Sequence, residues 1–553
     1  MSLAARKIDM TLVLRRTLCL LALSALAACS KAGGSGQSGG RHPYTHPHEL
    51  RFSAASDIQQ LNPLLEESLY EEYLASMTMA WLIKSDDRGN LVPELLTEVP
   101  TQRNGGISAD GKTIAYHLRK NVVWSDGVPF DADDVVYTTK QILNPANNVV
   151  SRDGWELIEK IDEPDKFTVI YHLKQPYSSY AITFFSTLQA NPAVLPKHLL
   201  AKYPNLNQVP YNSLPVGIGP FKYQSWKRGD SVTLAANERY FRGRPKLDRI
   251  IFKLVQDRNV VLEQIRTHDL DLWIPVSAHF FPQVQALPAI ATSKIPSNTF
   301  DHLDFNMSRP IFAERAVRSA LRYAIDRRTI NEKVQNGLYL LSETPVTPAS
   351  PYHLAIPLVP YDPVKANKLL DDAGWKRGAD GIRAKQGRRL SISFASSIGS
   401  PDTDTVIELI RGWWKPLGVE LSVKHYLATQ FFAQASEGGI IYGSKFDVAY
   451  FAWSSDPGAD LSNLYACYRF PPNGQNDMHW CDPAATAAMD GAKVNYGFTE
   501  RKKYIDIVQR RLVEAAPTVV TSTRQQLAGY NDDLKDWHPN SLSPFDDMMN
   551  VDI

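Results

Sequence analysis

The chain has 553 residues, 44% of them hydrophobic and 22% charged, with a formal net charge of +1. That length exceeds the ~250–300 residues at which single cores stop growing, so at least two lobes are expected. The near-neutral balance, with no long block of like charge, argues against nucleic acid as a partner.

Arg6, Lys7, Arg15 and Arg16 precede an apolar run that ends in Leu26-Ala27-Ala28-Cys29. A charged start, an apolar stretch and small residues make a secretory signal. A cysteine directly after the small residues is the pattern of a bacterial lipoprotein signal, in which that thiol is acylated. Residues 1–28 are therefore expected to be removed and Cys29 to carry a lipid. The run of about a dozen residues is too short to span a membrane, and no later run reaches the roughly 18 apolar residues required. The expected mature chain is 525 residues (553 less 28), and it loses the +3 carried by residues 1–28 to stand near −2. It would sit in the periplasm or at the cell surface, tethered to a membrane. Ser30, not Asp, follows the cysteine, which leaves both the inner and the outer membrane open.

Residues 29–48 read as a tether, Gly/Ser-rich from Ser30 to Gly40. Gly36-Gln37-Ser38-Gly39-Gly40 formally matches G-x-S-x-G, but a nucleophile elbow needs a strand before it and a helix after it, which a glycine tether lacks. His42, His46 and His48, among prolines, are expected to be solvated and not to bind metal. With Cys19 removed and Cys29 acylated, Cys467 and Cys481 are an even pair in an oxidising compartment. A disulfide between them is the favoured reading and would contribute roughly 3 kcal/mol in the chain-entropy model. Two free thiols are the second reading, and a zinc site with His479 lacks the usual ligand spacing. No cofactor or metal is expected.

Ordered structure is expected from Glu49, with a strand at Leu50–Ala54 and a helix at Ser68–Leu82. Short strands and turns fill 90–210, including Thr113–Arg119 and Phe167–Leu173, and a helix at Ala132–Leu143 can be capped by Asp131. Two strands around an Asp248 turn and a helix at Val260–Thr267 follow. Beyond residue 306 helices (Arg315–Ala324, Pro363–Ala373, Asp404–Leu417) alternate with strands (Leu390–Phe394, Val419–Val423, Phe446–Phe451). Such alternation predicts an α/β lobe with a mixed sheet. Trp124 and Phe130 around Asp126-Gly127 read as a packed hairpin. Val317, Leu321 and Ala324 form one apolar helix face, and Arg318, Arg322, Arg327 and Arg328 are expected to solvate the other.

Four segments, in order, resemble the bacterial extracellular solute-binding protein family 5, which contains the dipeptide- and oligopeptide-binding proteins of ABC importers. They are Leu118–Thr138 with Trp124-Ser125-Asp126-Gly127-Val128-Pro129-Phe130; Gly217-Ile218-Gly219-Pro220-Phe221; Val317–Arg327; and Tyr361-Asp362-Pro363 with Ala373-Gly374-Trp375. The resemblance spans about 50–530 and departs at Ile218, where the family commonly has Thr. It implies a two-lobed periplasmic-binding-protein-like fold, class II of the large cluster with an extra domain, mixed sheets and a hinge between lobes. The implied division is 49–89, 215–304 and 525–553 as lobe I, 90–214 as its extra subdomain, and 305–524 as lobe II.

The resemblance further implies a monomeric binding lipoprotein, not an enzyme, that captures peptides and delivers them to an ABC permease. The same fold could instead serve a nickel complex, an opine or an oligosaccharide; a secreted hydrolase lacks a nucleophile–base set. The implied site is Ala452-Trp453-Ser454-Ser455-Asp456, beyond the end of a strand. Family members of peptide type carry a Trp three residues before an Asp that pairs with the ligand's α-ammonium, as Trp453 and Asp456 are spaced. Ala452 and Ser455 flank them, and Asp460 is a nearby substitute. From residue types alone, Ser455-Asp456-Pro457-Gly458 is better read as a β-turn, and it is the resemblance that favours ligand contact. Leu50–Ser56 is a candidate edge for strand-like pairing with an extended peptide.

Overall fold

The computed structural model describes residues 40–553 apart from 55–57, 66–67, 87–89, 150, 153, 187–191 and 541–542. The expected signal peptide, the lipid-attachment Cys29 and the tether up to residue 39 lie outside the described residues. Among the described residues no helix is long and apolar enough to cross a membrane.

The strands begin with β1 (Glu49–Ala54), β2 (Ile83–Ser85), β3 (Leu91–Pro93), β4 (Thr113–His117), β5 (Ile158–Asp165) and β6 (Thr168–Leu173). Next come β7 (Phe221–Lys227), β8 (Ser231–Ala236), β9 (Arg249–Leu254), β10 (Leu272–Val276) and the long β11 (Ile290–Phe305). The chain continues through β12 (Lys376–Arg377), β13 (Arg383–Lys385), β14 (Arg388–Arg389), β15 (Ser391–Ser397), β16 (Glu420–Tyr426), β17 (Val448–Ser454) and β18 (Thr518–Asn531). Ten of them form one mixed sheet in the order β16-β15-β17-β11-β18-β10-β1-β9-β8-β7, and β4-β6-β5 form a separate antiparallel sheet.

The antiparallel ribbon β11–β18 joins the two halves of the large sheet. It pairs from Ile290 opposite Asn531 to Asp304 opposite Thr518, with its register broken between Pro296 and Phe300 and again between Asp301 and His302. One end of β18 pairs with β10, while the far half of β11 pairs with β17. The expected lobe boundaries fall at the end of β11 (304/305) and in the middle of β18 (524/525). Among the separate apolar cores of the described residues, three are the largest. One holds Leu50, Phe52 and Phe252 with Phe545 and Val551 from the C-terminal segment. Another holds Leu303, Phe305, Val317, Leu321 and Trp414. The third, around β4-β6-β5, holds Tyr116, Trp124, Phe130 and Trp155.

Local signals explain several elements. The helix Ala132–Leu143 has a full capping box: the Asp131 side chain accepts from Asp133 N, and Asp134 reaches back to the Asp131 backbone. The helix expected to Leu82 ends at Thr78. Its terminal carbonyl accepts from Gly219 N at 2.9 Å, and a Cβ on Gly217 would lie 2.0 Å from that oxygen. The two glycines are there for close approach, not for a left-handed turn.

Two expectations are corrected. β1 is not an edge, because it pairs with β9 along its whole length and with β10 at Phe52 and Ser53. Arg318, Arg322 and Arg327 are buried, with only Arg328 solvated. Arg322 and Arg327 share the buried carboxylate of Glu343, the latter at 2.7 Å, and Arg318 donates to the carbonyls of Phe312 (2.5 Å) and Ala515 (2.7 Å). Guanidinium heads buried in this way are tolerated only because each finds carboxylate or carbonyl partners. Cys467 and Cys481 form a disulfide with their Cα atoms 4.5 Å apart, and His479 pairs with the Ser444 hydroxyl at 2.6 Å. Of the linker histidines, His46 and His48 lie against Glu49 (3.3 Å) and Asp552 (2.8 Å).

Candidate functional site

A cavity of about 1370 Å³ lies where the chain leaves the carboxyl ends of β10, β15 and β17 and meets the middle of the ribbon. Segments Pro275–Phe280 at and beyond the end of β10, Gly399–Thr403 after β15 and Ala452–Ser455 at the end of β17 line it, together with Glu71, Tyr73 and Ser76 of the helix Leu69–Thr78. Strand ends are where open α/β sheets present ligand sites, since side chains and free backbone groups converge there.

The strand expected to end at Phe451 runs on to Ser454, so Ala452 and Trp453 lie within it, opposite Asp301 and Phe300 of β11. On its other side β17 pairs with β15 only at Val448 and Ala449, so among the described residues Tyr450–Ser454 have no strand partner there. This stretch, not β1, is the main-chain edge at the cavity. The Trp453 indole packs on Phe451 and Phe432, with ring centroids 6.0 and 6.3 Å away. Ser455 is buried; its N–H donates to Asn298 O at 2.9 Å and its hydroxyl to Pro345 O.

Ala452, Trp453, Ser455 and Pro457 touch the cavity, whereas Asp456, between Ser455 and Pro457 in the chain, is not among its lining residues. Its Oδ1 accepts from Asp460 N at 3.2 Å, and its carbonyl accepts from Ala459 N at 2.8 Å. The segment is thus a turn as well as a cavity wall. Burial pushes the Asp456 carboxyl up to about 6, Asp460 pushes the same way, and Arg501 opposes them. Asp460, the alternative, caps its own loop by accepting from Ser462 N at 2.9 Å and lies 3.9 Å from Lys493.

The cavity floor holds an ion pair not identified from the sequence. Arg524 of β18 donates through Nε (3.1 Å) and Nη2 (2.6 Å) to Asp301 of β11, and Ser522 donates to the same carboxylate at 3.2 Å. Burial pulls the Arg524 guanidinium down, and the Asp301 carboxylate more than offsets it, so Arg524 stays charged. Asp301 and Arg524 are 223 positions apart, so no local spacing could have brought them together.

The family model of the bacterial extracellular solute-binding proteins, family 5 Middle, matches residues 90–475. The oligopeptide-binding protein AppA of Bacillus subtilis is 25% identical over 507 residues, covering 90% of this chain and 88% of that protein. Among solved structures, NikZ from Campylobacter jejuni in complex with Ni(L-His) has a TM-score of 0.74 at 25% identity, covering 90% of this chain and 97% of that one. Bacillus subtilis AppA in complex with a nonapeptide also has a TM-score of 0.74, at 22% identity, over 91% of this chain and 98% of that one. With a match that extends over most of its length and a cavity at the strand ends of a two-lobed mixed α/β fold, the chain belongs to the bacterial extracellular solute-binding proteins, family 5, which are binding proteins of transport systems and not enzymes.

Proposed function

We propose that the protein captures peptides outside the cytoplasm and delivers them to the permease of an ABC importer. The observation that carries this reading is the cavity: about 1370 Å³ exceeds the ~300–1,000 Å³ usual for small-molecule pockets, and it is bordered by the unpaired edge of β17. An extended peptide can add to such an edge through main-chain hydrogen bonds, which bind without regard to sequence. Its α-ammonium would be drawn to Asp456, and Trp453 would supply apolar area beside it. The oligopeptide-binding relative supports this reading. The nickel–histidine complex bound by NikZ keeps a metal chelate as the second reading, with opines and oligosaccharides behind it.

The lobes in this proposal are 49–89, 215–304 and 525–553, then 305–524, with 90–214 as an extra subdomain. They would close about the ribbon where its register breaks. The chain would act as a monomer, anchored through lipid on Cys29 and held on the Gly/Ser-rich tether. Mass spectrometry of the solute released by denaturing the purified protein tests the assignment. Peptides of several residues are the expected result; stoichiometric nickel chelates or opines would overturn it.

A further inference from the structure

We propose that Arg501 is a positioning residue of the ligand site, holding the Asp456 loop and tying it to the contact that closes the extra subdomain against lobe II. The inference rests on the reading of Asp456 as the partner of the ligand's ammonium.

Arg501 lies in the first turn of the helix Phe498–Ala515 and is 4% exposed. Its Nη2 donates to Gly458 O at 2.9 Å and to Ser179 Oγ at 3.2 Å, and its Nη1 donates to Ser178 Oγ at 2.7 Å. A guanidinium is a rigid planar fork, so three acceptors from two segments fix those segments relative to each other. All three acceptors are neutral. A cation buried among neutral acceptors needs a nearby negative charge, and Asp456, on the loop that Arg501 grips, supplies one. Gly458 is closely packed as well: a Cβ there would lie 2.2 Å from Ile182 Cδ1, 3.0 Å from Asp456 Oδ1 and 3.3 Å from Arg501 Nη2.

The same two regions meet through a second set of bonds. Ser178 N donates to Lys493 O at 2.7 Å and Ser178 Oγ to Ala492 O at 2.9 Å. The Tyr496 hydroxyl donates to Gly111 O at 2.6 Å and accepts from Tyr177 N at 2.9 Å. These bonds join the extra subdomain to lobe II away from the ribbon, so opening about the ribbon would break them together. Arg501 also bonds the loop that carries Ser455, Asp456 and Pro457, through Gly458 O, while Lys493 reaches the same loop only at 3.9 Å from Asp460. The lobes can therefore close fully only when that loop is in its ligand-holding position.

The charged and titratable groups facing Asp456 are Asp460 on its own loop, Arg501 on the helix Phe498–Ala515 and Tyr352, with Lys493 of the helix Pro483–Val494 beside Asp460. Of these, Arg501 favours the ionised carboxylate, so removing its charge raises the pH at which Asp456 protonates.

The test compares the parent with Arg501→Met, Arg501→Lys and the pair Ser178→Ala, Ser179→Ala. The probe is an equimolar mixture of synthetic tri- to nonapeptides, with free or acetylated N-termini, and bound protein is counted by native mass spectrometry from pH 5 to 8. For the parent, free-amine binding should fall as the pH drops through about 6, and acetylated binding should stay flat. Arg501→Met should move that fall upward by about 0.5–1 pH unit, and Arg501→Lys should restore its position. The double serine variant, which keeps the charge and tests coupling even if Arg501→Met folds poorly, should weaken both mixtures about 3–10-fold at every pH without moving the fall. Its small-angle scattering radius should no longer shrink on peptide loading. An Arg501→Met variant that folds and weakens both mixtures equally at every pH, or changes neither, overturns the proposal, as does a serine variant that still compacts on loading. Equal parent binding of free and acetylated peptides overturns the Asp456 reading instead, and no binding of either mixture overturns the peptide assignment.

Discussion

Asp456 sits in the chain between two residues that line the cavity, Ser455 and Pro457, with its carboxyl raised chiefly by burial. In the proposed function an incoming ammonium would pair with this carboxylate, adding to the favourable charge of Arg501. A charge-assisted hydrogen bond of this kind is worth ~1.5–3 kcal/mol, or about 10–100-fold in affinity. Asp456→Asn is therefore expected to weaken free-N-terminus peptides by about that factor and acetylated peptides by less than about twofold, as read by isothermal titration at pH 7.5. Equal losses for the two would refute the pairing. At this scale the sequence was informative only where the chemistry is local. The Trp453–Asp456 spacing was legible because both residues lie within one strand end and its turn. The arginines were misread because helical periodicity sees only their own helix. Their partner Glu343 lies in a loop 21 positions beyond Arg322 and 16 beyond Arg327, and it turns an apparent solvated face into an internal ion cluster.

Among the elements, the helix Leu69–Thr78 forms one wall of the cavity, and its end is set by the segment Gly217–Phe221. A Cβ on Gly219 would lie 2.5 Å from the Thr78 carbonyl carbon and 2.6 Å from Met77 O, all backbone that cannot rotate aside. Gly219→Ala must push the helix end outward, at a cost of about 1–3 kcal/mol from overpacking. The expected outcome is a lowered urea midpoint together with weakened peptide binding, because the displaced element carries Glu71 and Tyr73; unchanged values for both would show that the close approach is dispensable. Elements with punctuated ends were read well: Asp131 and its capping box mark the helix Ala132–Leu143 to the residue. The ribbon was missed. β11 includes exposed and half-buried positions at Ile290–Thr299 and fully buried ones from Phe300 to Phe305, because its two halves lie in different parts of the sheet. A strand that changes surroundings midway has no single alternation to read.

For the molecule as a whole, burial of carboxyls sets how stability responds to pH. Asp134 and Asp546 are buried, and burial raises each to about 6 from an ordinary 3.8, as it does Asp456. Between pH 6 and 4 the folded protein therefore holds protons that the unfolded chain has released, and stability rises as pH falls through that window. Each fully buried group contributes at most about 3 kcal/mol. His479 acts in the opposite direction. Burial lowers it from 6.5, so the unfolded chain gains its proton first and stability falls as pH drops below 6.5. The carboxylates that hydrogen bonds hold low, including Asp110, Asp162 and Asp380, titrate beneath the window and withdraw stability only under more acidic conditions. Burial raises Asp477 and Glu163 as well, and these carboxyls against one imidazole predict a melting temperature that climbs from pH 7.5 to about 5 and falls again below about 4. Calorimetry across that range checks the slope. Asp134→Asn and Asp546→Asn should each remove part of it, and a steady decline from pH 7.5 downward would show that these carboxyls are not buried as the structure has them.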